Sequence, residues 1–162
     1  SNTPIETGAN EMHLPPCGLY RTTGPVAAVE EGRLVYFHNH GDPGPGIYLP
    51  KAWKHNRAEF EPRGRTIDDP KAIRFLEPLP SEGFYRVVDS FHCCEKQCRS
   101  FEPDSLLQLG YNAAAEPILF APELVDGMLA IPAKGWKTTL EKTGQLMPLK
   151  VPRTKGSDLP PQ

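Results

Sequence analysis

The sequence LPPCGLYRTT at residues 14–23 indicates the architecture of this chain, because it returns as LPSEGFYRVV at residues 79–88. Both copies follow the pattern L-P-x-x-G-Φ-Y-R, where Φ is apolar, and both end in two β-branched residues. In each copy a glycine begins a segment whose side chains alternate, so the Tyr and the Arg lie on opposite faces of a strand. The repeat predicts two related β units that arose by tandem duplication.

Three later matches extend the repeat in the same order along the chain. They pair residues 34–37 with 118–121, residues 46–50 with 127–132, and Trp53-Lys54 with Trp136-Lys137. In each unit they predict a hairpin with apolar arms and an Asp/Pro/Gly turn, followed by a short segment around a core tryptophan. The predicted fold class is mainly β, with two tandem, internally duplicated small β units (SH3-like barrel or small sandwich) and few short helices.

The repeat also sets the predicted domain boundaries. Unit one is expected over residues 14–78, and unit two over residues 79–150 with a cysteine-containing insertion at 89–115. Residues 1–13 are expected to be a leader without regular structure. Residues 151–162 are expected to form a flexible tail rich in Pro and Lys.

Proline limits the helical content of this chain. It contributes 19 of 162 residues, about twice its usual share of roughly 5%. Each proline breaks a helix interior, so an all-α fold is excluded. One short helix is expected within the insertion, where Asp104 or Ser105 resembles an N-cap before the apolar residues 106–109.

Charge and hydropathy narrow the range of partners. The net charge is −2 and the pI is near 6.2, so no overall field recruits nucleic acid or an anionic membrane. No apolar run approaches the roughly 20 residues of a membrane helix. We therefore expect a cytoplasmic protein without a membrane partner.

Aromatic, histidine and arginine side chains concentrate in one part of unit one. Seven residues between positions 36 and 57 form the predicted partner-binding face: Tyr36, His38, His40, Tyr48, Trp53, His55 and Arg57. Tyr, Trp and Arg are enriched at the energetic centres of protein interfaces. The sequence therefore favours a non-enzymatic binding or adaptor module that recognises a protein partner. A single-stranded nucleic-acid binder is an alternative, because aromatic and basic side chains also stack on bases and contact phosphates.

A second alternative is a metal-dependent protein or small enzyme. His38 and His40 begin the predicted hairpin loop of unit one; on an extended segment their side chains would point to one face, and imidazole is a common metal ligand. The Cys93–Cys98 insertion is the other candidate for such chemistry. No nucleophile elbow, phosphate-binding loop or dinucleotide fingerprint occurs in the sequence, and no catalytic residue is assigned.

The four cysteines allow three interpretations. A structural zinc site could use His13, Cys17, Cys94 and Cys98, although the spacings H-x3-C and C-x3-C are wider than the C-x2-C pairs typical of zinc sites. A disulfide would join Cys93 or Cys94 to Cys98 or Cys17, and would need an oxidising compartment. Free, partly buried thiols are the third interpretation, in which no cofactor is bound.

Overall fold

The computed structural model describes residues 14–41 and 43–152, and it confirms a mainly β protein. The predicted leader, residues 1–13, and residues 153–162 of the predicted tail lie outside this part of the chain. Unit one contains β1 (Gly18–Thr22), β2 (Leu34–His38), β3 (Gly46–Tyr48), β4 (Pro50–Lys54), β5 (Arg57–Phe60), β6 (Arg65–Thr66), a 3₁₀ turn (Pro70–Phe75) and β7 (Leu76–Pro78).

Unit two repeats this order and adds a small hairpin. Its elements are β8 (Gly83–Val87), β9 (Phe91–His92), β10 (Ser100–Phe101), β11 (Leu106–Tyr111), β12 (Pro117–Phe120), β13 (Glu123–Val125), β14 (Met128–Ala130), β15 (Trp136–Lys137), a 3₁₀ turn (Lys142–Gln145) and β16 (Leu146–Pro148). The additional hairpin, β9–β10, carries the predicted cysteine insertion. Residues 106–111, which the sequence also assigned to the insertion, form the central strand β11.

The two units have the same sheet. In unit one the five strands lie in the order β6-β3-β2-β1-β7, and in unit two they lie in the order β15-β12-β11-β8-β16. The register also agrees, because Gly18 lies opposite Phe37 as Gly83 lies opposite Leu109. All strand pairs in both sheets are antiparallel. This correspondence supports the internal repeat, while closure of either sheet into an SH3-like barrel stays a prediction.

The repeated motif has the same local role in both units. Gly18 and Gly83 both have positive φ, +156° and +144°, which side chains rarely permit and glycine does. The hydroxyl of Tyr20 donates to the carbonyl of Pro16 at 2.6 Å, and that of Tyr85 donates to the carbonyl of Ser81 at the same distance. The motif therefore fixes where each first strand begins.

The later sequence matches are wrong by one or more strands. Residues 34–37 belong to β2, whose counterpart by strand order is β11 and not residues 118–121. Residues 46–48 correspond to β12, and not to residues 127–132. Trp53 lies in hairpin β4–β5, whereas Trp136 lies in the edge strand β15, so the two tryptophans are not equivalent. Apolar strands resemble one another too closely for composition alone to align them.

The predicted helix before residues 106–109 is also wrong. Asp104 has a φ of +69°, which does not fit the extended backbone of an N-cap, and the following residues form β11. β11 lies between β8 and β12 with partners on both sides, and residues 107–111 are buried. Pairing with two neighbours outweighs the local helix signal.

A hairpin of unit one docks on unit two. The loop of β4–β5 is a two-residue turn at His55-Asn56, with φ of +52° and +65°. The Asn56 amide donates to the side chain of Gln108 and to the carbonyl of Pro132, each at 3.0 Å. The indole of Trp53 donates to the carbonyl of Tyr111 at 2.7 Å. Trp53 therefore links the two units through this hydrogen bond, and because it is 41% exposed it does not fill a core.

Two hydrophobic clusters follow from this arrangement. One is confined to unit one and includes Tyr20, Val35, Phe37 and Ile47. The other is shared, since Leu19, Leu34 and Tyr36 of unit one pack with buried residues of unit two. The residues of unit two in this cluster are Tyr85, Val87, Cys93, Phe101, Leu107, Leu109, Tyr111, Ala115 and Leu119. The units are therefore joined by core contacts as well as by the hairpin. Among residues 14–41 and 43–152, no helix has the length and apolar character needed to cross a membrane.

Candidate metal centre

The seven residues of the predicted partner-binding face lie in three different settings. Tyr36 is buried and its ring contacts those of Tyr48 and Phe60, with centroids 6.5 and 5.8 Å away. Burial raises the pKa of the Tyr36 hydroxyl, with smaller contributions from Cys17 and Tyr48. This aromatic group helps to build unit one and presents little of Tyr36 to a partner.

Trp53, His55 and Arg57 belong to the docked hairpin. The backbone carbonyl of His55 accepts a bond from the Gln108 amide at 3.0 Å. The Arg57 guanidinium lies 4.0 Å from the carboxylate of Glu82, whose side chain is fully buried. These contacts hold the two units together, so a role for the three residues in binding another protein stays a prediction.

His38 and His40 meet a residue that the sequence placed elsewhere, Cys17. The Cys17 sulfur lies 3.7 Å from Nδ1 of His38 and 3.9 Å from Nδ1 of His40, and the two imidazole centroids are 4.0 Å apart. Among the described residues, these three are the group of His, Cys, Asp or Glu whose ligand atoms all lie within 4.8 Å of one another. We call them the Cys-His-His cluster.

The pairing of β1 with β2 creates this cluster. Gly18 lies opposite Phe37, so Cys17, one residue before β1, meets His38 at the end of β2. β2 ends at His38, and the bend at Asn39 brings the His40 ring against the His38 ring and near the Cys17 sulfur. The sequence contains this signal, because two adjacent antiparallel strands place the start of one beside the end of the other.

Asn39 supplies the polar contacts at the centre of the cluster. Its backbone N–H donates to the Cys17 sulfur at 3.3 Å. Its side-chain oxygen lies 3.2 Å from that sulfur and 2.7 Å from Nδ1 of His40. Its amide nitrogen donates to the carbonyl of Pro15 at 3.1 Å, which fixes the orientation of the side chain. The loop is therefore organised around the thiol.

The cluster borders a cavity with a basic wall. The cavity has a volume of about 330 Å³ and is lined by His38 and His40 together with Tyr48, Arg63 and Arg65. Arg65 also donates to the carbonyl of Ala27 at 3.3 Å. Two arginines beside two imidazoles favour an anionic group in this space.

The same positions in unit two hold different residues with a different task. By the shared register, Cys17 corresponds to Glu82 and His38 corresponds to Gly110. Glu82 accepts the backbone N–H of Ala58 at 2.9 Å, and a Cβ added at Gly110 would lie 2.6 Å from the Asn56 carbonyl oxygen. In unit two this surface is covered by hairpin β4–β5. The histidine in unit one leaves no room for a hairpin seated in the same way.

The remaining cysteines form a separate group. The sulfur of Cys94 lies 3.6 Å from those of Cys93 and Cys98, and all three thiols are free, as is that of Cys17. The structure thus groups Cys17 with His38 and His40, whereas the predicted zinc set grouped it with Cys94 and Cys98. The fourth member of that set, His13, lies outside the described residues.

Comparison with known proteins gives no family for this chain. No protein-family model, no curated protein and no solved structure matches it. Function must therefore be argued from the site itself.

Proposed function

We propose that this chain is a metal-binding protein, which holds one transition-metal ion of the zinc class in the Cys-His-His cluster. The observation that carries the proposal is the convergence of Cys17, His38 and His40 from two strands. One thiolate and two imidazoles match the ligands that Zn²⁺ prefers, whereas Ca²⁺ and Mg²⁺ prefer oxygen ligands. The proposal develops the metal-dependent function that the sequence offers as an alternative for His38 and His40, and it adds Cys17 as a third ligand.

The distances support this ligand set. A tetrahedral zinc ion bonds sulfur at about 2.3 Å and nitrogen at about 2.0–2.1 Å, which places these two ligand atoms about 3.6 Å apart. The sulfur lies 3.7 and 3.9 Å from the two Nδ1 atoms, so small side-chain rotations suffice. The Asn39 side-chain oxygen accepts from His40 Nδ1–H, so this bond is lost when Nδ1 gives up its proton and uses its lone pair for the ion.

Three protein ligands leave one coordination position open. Zinc sites with three protein ligands commonly hold water or a substrate in the fourth position. The two imidazoles border the cavity that contains Arg63 and Arg65, so an anion there would be able to complete the coordination. The Asn39 N–H bond to sulfur would hold Cys17 in position as a ligand, as outer hydrogen bonds do in metal sites.

Metal analysis of purified protein tests this proposal. We expect one zinc ion per chain by native mass spectrometry and elemental analysis, and its loss in Cys17→Ser and in His38→Gln. The matched controls are Cys98→Ser and His55→Asn, which change the same residue types away from the cluster. Protein that stays metal-free in zinc-containing buffer, or zinc retained by both cluster variants, would contradict the proposal.

A second candidate function is the predicted non-enzymatic binding module, and hairpin β13–β14 favours it. Four apolar residues of this hairpin are exposed: Leu124 (76%), Val125, Met128 (74%) and Leu129. Its counterpart β4–β5 is docked against unit two, whereas β13–β14 makes no comparable contact within the described residues. An apolar surface of this kind suits a protein partner with an apolar groove.

Site-specific crosslinking followed by affinity measurement tests the second candidate. A photoreactive residue at position 129 identifies the protein that the hairpin touches. We expect the double variant Leu124→Ser/Met128→Ser to weaken binding of that protein at least tenfold. Val151→Ser, at another exposed apolar residue, should leave binding unchanged. Equal affinity of the double variant would remove this candidate.

A further inference from the structure

The hairpin β9–β10 holds two thiols beside each other in an accessible loop. Ser100 and Phe101 pair with His92 and Phe91, so both ends of the loop are fixed by the hairpin. Within the loop, the N–H of Gln97 donates to the carbonyl of Cys94 at 2.9 Å. This turn brings the Cys94 and Cys98 sulfurs to 3.6 Å.

The two thiols differ in exposure and in acidity. Cys98 is exposed and Cys94 is half-buried. The backbone N–H of Cys98 stabilises the Cys94 thiolate, and the thiols of Cys93 and Cys98 add to this, which lowers the pKa of Cys94 to about 7. The side-chain hydrogen bond of Cys98 to Cys94 and the charge of the Cys94 thiolate raise the pKa of Cys98. A thiolate beside a neutral thiol is the arrangement in which one sulfur attacks an oxidant and the other resolves the product.

Cys93 is a poorer partner for Cys94. It is only 2% exposed and belongs to the shared core. Its pKa is raised, chiefly by burial. Its backbone N–H donates to the carbonyl of Arg99 at 2.9 Å, which anchors the residue at the end of the hairpin. Core packing therefore keeps Cys93 in place while the loop after it can adjust.

We infer that Cys94 and Cys98 form a reversible disulfide when the protein meets a peroxide. The Cys94 thiolate attacks the peroxide O–O bond, forms a sulfenic acid and releases hydroxide or an alkoxide. The Cys98 thiol then attacks the sulfenic sulfur, an S–S bond forms and water leaves. Two thiols are oxidised to a disulfide, and one peroxide is reduced by two electrons. A dithiol reductant returns both thiols, as in a reducing compartment.

Closure of this bond acts on the residue next to it. A disulfide needs a sulfur separation of about 2.05 Å, so the loop must tighten by rotation of the two side chains. Arg99 follows Cys98 directly and its guanidinium stacks over Phe101 and Trp136, at 5.6 and 5.7 Å from the ring centroids. Oxidation is therefore expected to shift the Arg99 guanidinium from its present position over the Trp136 ring. This inference does not depend on the metal proposal, because Cys17 takes no part in it.

Peroxide treatment of the full chain, followed by alkylation and peptide mapping, tests the inference. In wild-type protein we expect a Cys94–Cys98 link with the loss of two hydrogens, while Cys17 stays alkylated. Cys98→Ser should accumulate a Cys94 sulfenic acid that dimedone traps, because the resolving thiol is absent. Cys94→Ser should show no such product, and the control Cys17→Ser should oxidise as wild type does.

The mapping of wild-type protein decides the question without any variant. Undiminished alkylation of Cys94 after peroxide, a link between Cys93 and Cys94, or zinc bound to Cys94 and Cys98 would each overturn the inference. A sulfenic acid on Cys98 in Cys94→Ser, at the same rate as on Cys94 in Cys98→Ser, would overturn the assigned roles. Circular dichroism of each variant verifies that the fold is intact.

Discussion

At the residue scale, two equivalent positions show how one scaffold serves two purposes. Glu82 in unit two is a buried carboxylate that accepts the Ala58 N–H and faces Arg57. Cys17, at the corresponding position of unit one, faces His38 and His40. A carboxylate there joins the units, whereas a thiol with two imidazoles suits a metal ion. The hairpin β4–β5 can lie against unit two because residue 110 is a glycine, whereas the corresponding residue of unit one is His38.

Gly110→Ala should destabilise the protein by about 1–3 kcal/mol, the usual cost of forcing an extra methyl into a packed site. The new Cβ would lie 2.6 Å from the Asn56 carbonyl oxygen, so the hairpin must move. Urea unfolding measures the change. Gly144→Ala is the matched control, because a Cβ there meets nothing within 4 Å. Equal effects of the two substitutions would show that the hairpin does not seat against Gly110.

The pH dependence of thiol labelling tests the ionisation of Cys94. Its pKa of about 7 makes half of the thiol ionised near that pH, and the thiolate is the reactive form. Labelling of Cys94 should therefore rise through pH 7 and level off, while labelling of Cys98 keeps rising at higher pH because its pKa is raised. Stopped-time alkylation with peptide mapping gives both profiles. Superimposable profiles would contradict the assignment.

At the element scale, the sequence identified the first strand of each unit because the motif itself specifies it. The glycine has a positive φ and the tyrosine hydroxyl bonds a carbonyl four residues earlier, so both act locally and are readable without the rest of the chain. The sequence predicts a helix where β11 lies, since Asp104 and Ser105 resemble a cap and the pairing of β11 with β8 and β12 is not visible in its local sequence. The Cys-His-His cluster was half predicted: the sequence singles out His38 and His40 as candidate ligands, but Cys17 joins them only through pairing of β1 with β2.

Hairpin β4–β5 depends on Asn56 in two separable ways. Asn56→Gly keeps a residue suited to the φ of +65° but removes two hydrogen bonds, and should cost about 1–3 kcal/mol. Asn56→Ala removes the same bonds and adds about 1–2 kcal/mol of left-handed backbone strain. Chemical denaturation of both variants separates the free energy of the two lost hydrogen bonds from that of the backbone strain. Alanine no worse than glycine would contradict the strained turn.

At the scale of the whole molecule, the shared core should make the two units unfold together. Leu34 is fully buried in unit one, yet it belongs to the cluster that contains the core of unit two. Leu34→Ala should cost about 2–5 kcal/mol and should shift one common transition. Because the core is shared, the unfolding transitions followed by circular dichroism and by tryptophan fluorescence should coincide. The fluorescence follows both units, since Trp53 belongs to unit one and Trp136 to unit two. Two resolved transitions, with only the earlier one shifted, would contradict a shared core.

The seven residues of the predicted partner-binding face are divided among three parts of the molecule, and their role in binding a partner stays a prediction. Tyr36, Trp53 and Arg57 are close in sequence but lie in different places. Tyr36 is buried in the core, whereas Trp53 and Arg57 belong to hairpin β4–β5 and contact unit two. Trp53 is still 41% exposed and His55 is exposed, while the pair of histidines beside Cys17 borders the cavity lined by Arg63 and Arg65.

Titration of the metal-free protein with Co²⁺ tests whether the Cys-His-His cluster holds a metal ion, because cobalt substitutes for zinc and reports its ligands by absorption. We predict saturation at one Co²⁺ per chain, with visible bands of tetrahedral cobalt and a near-ultraviolet band from thiolate to metal. Cys17→Ser should lose the thiolate band, whereas Cys94→Ser and Cys98→Ser should keep it. No saturable band, or a thiolate band that survives Cys17→Ser, would contradict a metal ion in the Cys-His-His cluster.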